Sequence, residues 1–144
     1  MIIPEAQHVE IINAIPREDW QPLFELIPEI ERSEEFGEML GGNDNEKGEM
    51  MWPFWVEEEV ITRFRDIIYN LPVTVAFNYM EWDEGKEMAS KQDFDFDTID
   101  VPTKCKIITA IMRNDRFCDG ALISAFESGL MLALLKSIQR QVMA

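Results

Sequence analysis

The sequence predicts an all-α fold, a compact single-domain bundle of five to seven helices over residues 1–144, with at most one short extended segment. Apolar residues recur at helical spacing in most segments, the pattern of helices that bury one face. The chain of 144 residues is 47% hydrophobic, so a single core can form without disulfides, a metal or a cofactor. Residues 103–129 show the organisation best, as a helix, a charged corner and a second helix ending at Gly129.

The N-terminal segments predict helices separated by prolines and glycines. A short helix is expected over residues 5–14. A second begins with Asp19 as its N-cap, is interrupted at Pro28, and resumes to about Leu40. Residues 41–49 are polar and glycine-rich, which is typical of a loop.

The middle of the chain predicts one strong helix and one extended segment. Residues 56–70 place apolar side chains on one face and acidic side chains in the first turn, which favours a helix. Residues 73–79 are rich in β-branched and aromatic residues, so they are expected to be extended, either as an ordered connection or as an edge that pairs with a second copy. A short helix should follow over residues 81–90, then a polar loop over residues 91–97.

Three helices are predicted at the C-terminus. Their apolar stripes are Val101, Cys105, Ile108 and Met112 in the first, Phe117, Ala121, Ala125 and Phe126 in the second, and Met131, Leu134, Leu135, Ile138 and Val142 in the third. The connections are short, so consecutive helices should pack as neighbours. The first and third are apolar almost all round, so they should be central.

The net charge of −15 is unevenly distributed and limits the partners. Residues 1–100 carry 25 acidic and 7 basic side chains, whereas residues 101–144 carry 3 and 6, so the acidic part should complement the basic C-terminal helices. So acidic a chain is repelled by phosphate backbones, and no nucleic-acid partner is expected. A third functional hypothesis, beside the two developed below, is an acidic mimic of nucleic acid.

Localisation is predicted from the apolar runs and the two cysteines. The longest uncharged apolar run, residues 130–135, is far shorter than the ~20 residues of a membrane span, so no membrane partner is expected. The N-terminus lacks the features of a secretory signal. Two cysteines are too few for a disulfide-stapled fold, so the protein is expected to be cytoplasmic.

Three short segments carry a resemblance to a known family. Residues 82–85 read W-x-E-G, residues 113–120 read R-x-D-R-F-x-D-G, and residues 126–129 read F-E-x-G. Over residues 72–135 the chain resembles a family of small uncharacterised bacterial proteins classed as a domain of unknown function. Its members show comparable segments, with glutamate where this chain has Asp119. The resemblance implies a bacterial cytoplasmic protein and no activity that can be transferred.

The charged corner at residues 113–116 is a candidate binding site for a small anion. Arginine grips carboxylates and phosphates with two parallel hydrogen bonds, so Arg113 and Arg116 could hold such a ligand together with Glu81 or Glu84. This is the alternative functional hypothesis, an anion-binding protein or an enzyme. The candidate ligand-binding residues are Arg113, Asp115, Arg116, Asp119, Glu127, Trp82 and Glu84.

A structural interpretation of the same corner is also available. Asp115 can cap the second C-terminal helix by accepting from amides near Cys118, and Asp119 would fall in its first turn. Arg116 could pair with Glu81 or Glu84. The corner would then be a lock between helices.

The preferred functional hypothesis is a non-catalytic protein-interaction or self-associating module, with a protein partner or a homodimer. Aromatic and methionine side chains around Pro53, and aromatic side chains at the end of the extended segment, could form the contact surface. Packing in the core is the alternative role for these residues. The candidate surface consists of Met51, Trp52, Phe54, Trp55, Phe77 and Tyr79.

Catalysis and metal binding have little support in the sequence, and no catalytic residue is predicted. His8 is the one histidine, and Cys105 and Cys118 lie in apolar patterns without a nearby base. The acidic run at residues 93–97 lacks the glycine and glutamate of a calcium loop. Residues 34–38 match only half of the acidic signature of all-helical nucleotide pyrophosphohydrolases, so whether the chain is an enzyme stays open.

Overall fold

A computed structural model describes residues 1–42 and 52–144, which form short strands and many helices. The elements are β1 (Ile2–Pro4), α1 (His8–Asn13), α2 (Arg17–Phe24), α3 (Leu26–Arg32), β2 (Gly37–Leu40), β3 (Phe54–Glu57), α4 (Glu59–Asn70), β4 (Thr74–Ala76), α5 (Asp83–Ser90), α6 (Val101–Asp115), α7 (Ala121–Glu127) and α8 (Leu130–Val142). Single 3-10 turns lie at Glu5–Gln7, Tyr79–Glu81 and Phe96–Thr98. Only Glu25 separates α2 from α3, and it keeps helical dihedral angles, so the two form one interrupted helix. Counted in this way, the described residues contain seven helices.

The helices α6 and α8 lie at the centre of the fold, as their apolar circumference predicts. Helix α6 packs against α1, α5, α7, α8 and β4, while α8 packs against α2, α3 and α7. On α8 the side chains of Leu134, Leu135 and Ile138 are fully buried, and Ile107 and Ile108 of α6 are nearly so. These residues belong to one continuous hydrophobic cluster, to which α1, α2, α3, α4 and α7 also contribute.

The all-α prediction was wrong in its details, because the described residues also contain four short strands in two small sheets. The extended segment predicted at 73–79 is confirmed in part, because residues 74–76 form β4 while Tyr79 begins a 3-10 turn. The parallel partner of β4 is β1, with Ile3 opposite Val75. On the other side of β4, Val75 donates its amide proton to Oγ1 of Thr109 at 3.2 Å. Strand β4 is therefore paired within the chain, between β1 and α6.

The helix expected to resume as far as Leu40 is replaced by the antiparallel hairpin β2–β3, with Met39 opposite Trp55. Helix α4 accordingly begins at Glu59 and not at residue 56. A Cβ atom at Gly37 would press on the side chain of Ile123, so glycine lets this segment lie close on α7 without displacing that side chain. Strand pairing and this close approach override the helix-forming residues around Gly37. The loop predicted at 41–49 falls mostly outside the described residues.

The second C-terminal helix is shorter than predicted, because α7 begins at Ala121 and excludes Phe117. Gly120 before it has φ +89°, a left-handed conformation that stops any helix entering from the corner. Phe117 is consequently exposed, not part of the core stripe.

The predicted charge complementarity is confirmed by three ion pairs between C-terminal bases and acids from residues 1–100. These pairs are Lys106 with Glu5 at 2.9 Å, Lys136 with Glu31 at 3.6 Å and Arg140 with Asp97 at 3.1 Å. Hydrogen bonds from Arg140 and from Ser137 also lower the pKa of the Asp97 carboxyl. The basic helices α6 and α8 therefore hold the N-terminal part and the loop before α6 by charge as well as by packing.

Lys104 of α6 is a charged residue whose side chain is buried. Its side chain is 0% exposed, and among the described residues its Nζ has no hydrogen-bond partner. Burial lowers the pKa of Lys104, and the carboxylate of Asp97 opposes that shift only in part. A protonated Lys104 therefore destabilises the folded state, because its ammonium loses water without gaining a hydrogen bond.

Replacing this lysine should stabilise the protein. Lys104→Met keeps the length of the side chain and removes the charge, and we expect the free energy of unfolding at pH 7 to rise by about 1–4 kcal/mol in urea titrations. The folded-state pKa is lowered, so the unfolded chain binds the proton more tightly, and wild-type stability should rise as the pH approaches 10.5. The stability difference between wild type and variant should shrink over that interval. The exposed control Lys91→Met should change stability by less than about 0.5 kcal/mol, and a destabilised Lys104→Met protein would contradict the argument.

Candidate functional site

Trp82 joins α5 to α6 and gives a physical reason for the W-x-E-G segment. Its indole lies against Gly85, one turn later, where a Cβ atom would overlap the ring. The ring of Phe77 meets it edge to face, with centroids 5.6 Å apart. Nζ of Lys106 lies 4.6 Å from both ring centroids and also pairs with Glu5. Trp82 and Gly85 are therefore packing partners that fix the angle of α5.

The centre of the charged corner is an ion-pair network around Asp115. Its Oδ1 accepts from the amide of Leu122 at 2.9 Å, which caps α7 two residues inside the helix, not at Cys118 as predicted. Its Oδ2 accepts from the guanidinium of Arg65 at 2.6 Å. Nε of Arg65 donates to the carboxylate of Glu57 at 2.9 and 3.0 Å. One network therefore ties β3, α4, α6 and α7 together.

Arg65, the cation on which this network depends, was not among the residues predicted from the sequence. Burial alone would lower the pKa of Arg65, but the hydrogen bonds to Asp115 and Glu57 outweigh it and raise the pKa. The available signal was that Arg65 lies four residues after the buried Ile61 and three before the buried Ile68, so a charged side chain stands beside the apolar stripe of α4. Its partner Asp115 lies 50 residues further along the chain, beyond what local spacing can reveal.

The last acid and glycine of the R-x-D-R-F-x-D-G segment hold the β2–β3 hairpin. Oδ2 of Asp119 accepts from the backbone amide of Trp55 at 3.0 Å. The indole of Trp55 lies directly on Gly120, where a Cβ atom would overlap the ring. Asp119 thus lies before α7, not in its first turn as predicted. Its carboxylate binds the backbone of the hairpin instead.

The remaining residues proposed for anion binding are not gathered around one cavity. Arg113 is half-buried and donates to the carbonyl oxygen of Phe77 at 3.2 Å. Arg116 is exposed, and in residues 1–42 and 52–144 it makes no ion pair with Glu81 or Glu84. Neither arginine lines the pocket between α5 and α6 or any of four further pockets formed by the described residues.

The acids Glu84 and Glu127 of the same candidate set are exposed on α5 and α7. They belong to different helices and make no ion pair within the described part of the chain. The structure therefore uses Asp115 and Asp119 as structural partners and leaves these two carboxylates in solvent.

The predicted interaction residues divide between two places. Trp52 and Phe54 are exposed on the hairpin, Trp55 points inward onto Gly120, and Met51 lies outside the described residues. Because Trp55 points inward, its neighbour Phe54 points outward. Directly opposed residues of an antiparallel pair share a face, so Leu40, opposite Phe54, also lies on the outer side. We call the outer hairpin face the set Leu40, Trp52, Phe54 and Val56, whose side chains are 38% to 83% exposed.

Phe77 and Tyr79 instead lie half-buried near α5. Tyr79 lines a groove of about 560 Å³ between α5, the turn before it, and α6, which we call the α5–α6 groove. Its walls include Trp82, Lys86, Ile107 and Phe117, and most of its surface is apolar. This groove was not predicted from the sequence, because the helical spacing had placed Phe117 in a buried stripe.

Cys105 and the potential metal ligands of the described residues are not arranged for nucleophilic or metal chemistry. Burial raises the pKa of the Cys105 thiol, which disfavours its reactive thiolate. In residues 1–42 and 52–144 no three His, Cys, Asp or Glu side chains are grouped to hold a metal ion. No single described helix has the length and apolar character needed to cross a membrane. Helices α7 and α8 have that length and composition only when they are taken together, and they are bent relative to each other.

The fold and these surfaces define a mostly helical domain with an apolar hairpin anchored on the corner before α7 and with the apolar α5–α6 groove. A family model described as a family of unknown function, DUF6508, matches residues 15–144, and the chain belongs to that family. Comparison with curated proteins found no match, and comparison with solved structures found none.

The anchoring of the hairpin can be tested at Gly120. Gly120→Ala adds a methyl group against the indole of Trp55 and forces alanine into a left-handed conformation. We expect it to lower the free energy of unfolding by about 3 kcal/mol or more. Gly129 has nearly the same φ, +85°, with no atom within 4 Å of an added Cβ. Gly129→Ala should therefore cost only the backbone strain, about 1–2 kcal/mol. Equal losses in urea unfolding would show that Trp55 does not press on Gly120.

Proposed function

We propose that the protein is a non-catalytic, cytoplasmic interaction module that binds another protein through the outer hairpin face. The observation that carries the proposal is the clustering of Leu40, Trp52, Phe54 and Val56, which folding leaves largely in water. Large exposed apolar side chains that lie together are typical of protein contact surfaces, whereas single ones are ordinary. Tryptophan is also among the residues that contribute most to binding at such surfaces.

The hairpin is held from its inner side, which supports its use as a preformed contact surface. Trp55 lies on Gly120, its amide donates to Asp119, and Gly37 lies close against Ile123. A surface held in this way loses little conformational freedom on binding, so more of the apolar contact contributes to affinity.

The charges near the hairpin favour a basic partner over a second copy of the chain. Glu38 lies on the outer side opposite Val56, and Glu35 and Glu58 are exposed close to the strands in the chain. A second copy would bring its own carboxylates against these, in a chain whose net charge is already −15. A partner with an apolar centre and a lysine- or arginine-rich rim complements both features.

The two other hypotheses find less support. The anion-binding alternative needs Arg113 and Arg116 around one concavity, but Arg113 is half-buried and bonded to the carbonyl oxygen of Phe77, whereas Arg116 is exposed. The nucleic-acid mimic needs acidic side chains arrayed along one face, but the exposed acids Glu38, Glu84 and Glu127 lie on three different elements, β2, α5 and α7.

The proposal is tested by placing a photo-crosslinking benzophenone residue at position 54 in the cells that make the protein. We expect a discrete adduct with a basic protein, and we expect Trp52→Ser to reduce its yield at least about tenfold, because the central aromatic contact is lost. The matched control places the crosslinker at Met143, which is also exposed but lies far along the chain.

Light scattering separates the two kinds of partner. The proposal predicts a mass near 16.8 kDa at low and at high salt. If the mass is twice that value and Trp52→Ser reduces it, the outer hairpin face binds a second copy of the chain and not a basic partner. Equal adducts at positions 54 and 143, or no adduct at either, would rule out the outer hairpin face as a binding surface.

A further inference from the structure

The α5–α6 groove has the size and lining of a small-molecule site. Its volume of about 560 Å³ lies within the range of roughly 300–1,000 Å³ that ligand pockets occupy. Ile107, Ala110 and Ile111 recur at helical spacing along the α6 side, and Ala89 faces them from α5. The small side chains of the two alanines leave the space between the helices open, and Trp82 supplies an aromatic wall.

One cation is held at this apolar groove. Of the described lining residues, only Lys86 is charged at neutral pH. Its Nζ donates to the carbonyl oxygen of Met80 at 2.5 Å, which keeps the ammonium at the groove. An ammonium has three protons to donate, so two remain for a ligand. Tyr79 and Asn114 line the same groove and add neutral hydrogen-bonding groups.

The charge of this lining is opposite to that of the chain. The protein carries −15 overall, yet no carboxylate is among the described residues that line the groove. A single cation beside apolar walls attracts an anion more strongly than it would in open water, because the walls lower the local dielectric constant. The described lining lacks the carboxylates that repel anions in the acidic residues 1–100, so the groove favours an anion by its position as well as by its chemistry.

Two apolar side chains at the groove are left in water by folding. Phe117 is 74% exposed and Met80 is exposed as well, although both line the groove. Phe117 makes no contribution to the buried core cluster. A ligand with an apolar body would cover these side chains and gain roughly 25 cal/mol for each Å² of apolar surface removed from water.

We infer that the α5–α6 groove binds a small organic anion, a carboxylate carried on a flat aromatic or short acyl body. The body lies between Trp82, Ile111 and Phe117, and the carboxylate accepts hydrogen bonds from Lys86. The site is separate from the outer hairpin face, and binding there requires no protein partner.

The experiment compares naphthoate with naphthamide, two probes of the same shape that differ in charge. Titration calorimetry on the full chain should show that naphthoate binds about tenfold more tightly, which corresponds to one charge-assisted contact. Lys86→Met keeps the side-chain length and should bind both probes equally. Phe117→Ala alters an exposed side chain, so the protein should stay folded and bind both probes several-fold more weakly.

Lys91→Met is the matched control, since Lys91 lies at the end of the same helix and does not line the groove. It should keep the preference for naphthoate. Circular dichroism melting curves establish that each variant is folded. Equal affinity for the two probes in the wild type, a preference that survives Lys86→Met, or binding that Phe117→Ala leaves unchanged would each overturn the inference.

Discussion

The ion pair between Asp115 and Arg65 is the interaction on which this end of the molecule depends. An exposed pair of this kind contributes little to stability. Here the same carboxylate also caps α7 at Leu122, and the same guanidinium also holds Glu57 of β3. Loss of Asp115 would therefore leave Nη2 of the partly buried Arg65 and the amide of Leu122 without their acceptor at once. The hairpin, the corner and the start of α7 keep their relative positions because these few polar atoms satisfy one another.

The turn between α6 and α7 separates two surfaces with different roles. On one side, Asp119 and Gly120 hold the hairpin from within, so that its outer face is presented to a partner. On the other side, Phe117 lines the α5–α6 groove. Only Cys118 lies between these residues in the chain. A rigid corner thus serves as the common support of a proposed protein-binding face and a proposed ligand groove, and neither depends on the arginine pair that the sequence suggested first.

Local pattern predicted the helices well and the strands poorly, for reasons that particular residues show. The spacing of apolar residues in α6 and α8 requires a helix, since no other conformation buries them on one side. The segment ending at Leu40 contains helix formers too, but it pairs with Phe54–Glu57 and lies close on α7 at Gly37. Likewise the partner of β4 is the chain's own first strand, some 70 residues away. Such pairings are decided by contacts between distant segments, which spacing within a window cannot show.

The sequence by itself determined the mostly helical class, the central place of α6 and α8, and the attraction between an acidic N-terminal part and basic C-terminal helices. These follow from short-range periodicity and from counts of charge, which need no knowledge of the fold. Tertiary structure alone decided that Asp115 binds Arg65, that Trp82 and Trp55 rest on Gly85 and Gly120, and that one face of the hairpin remains in water. Close approach and directed hydrogen bonds depend on distances between segments far apart in the chain, and those distances exist only once the core has packed.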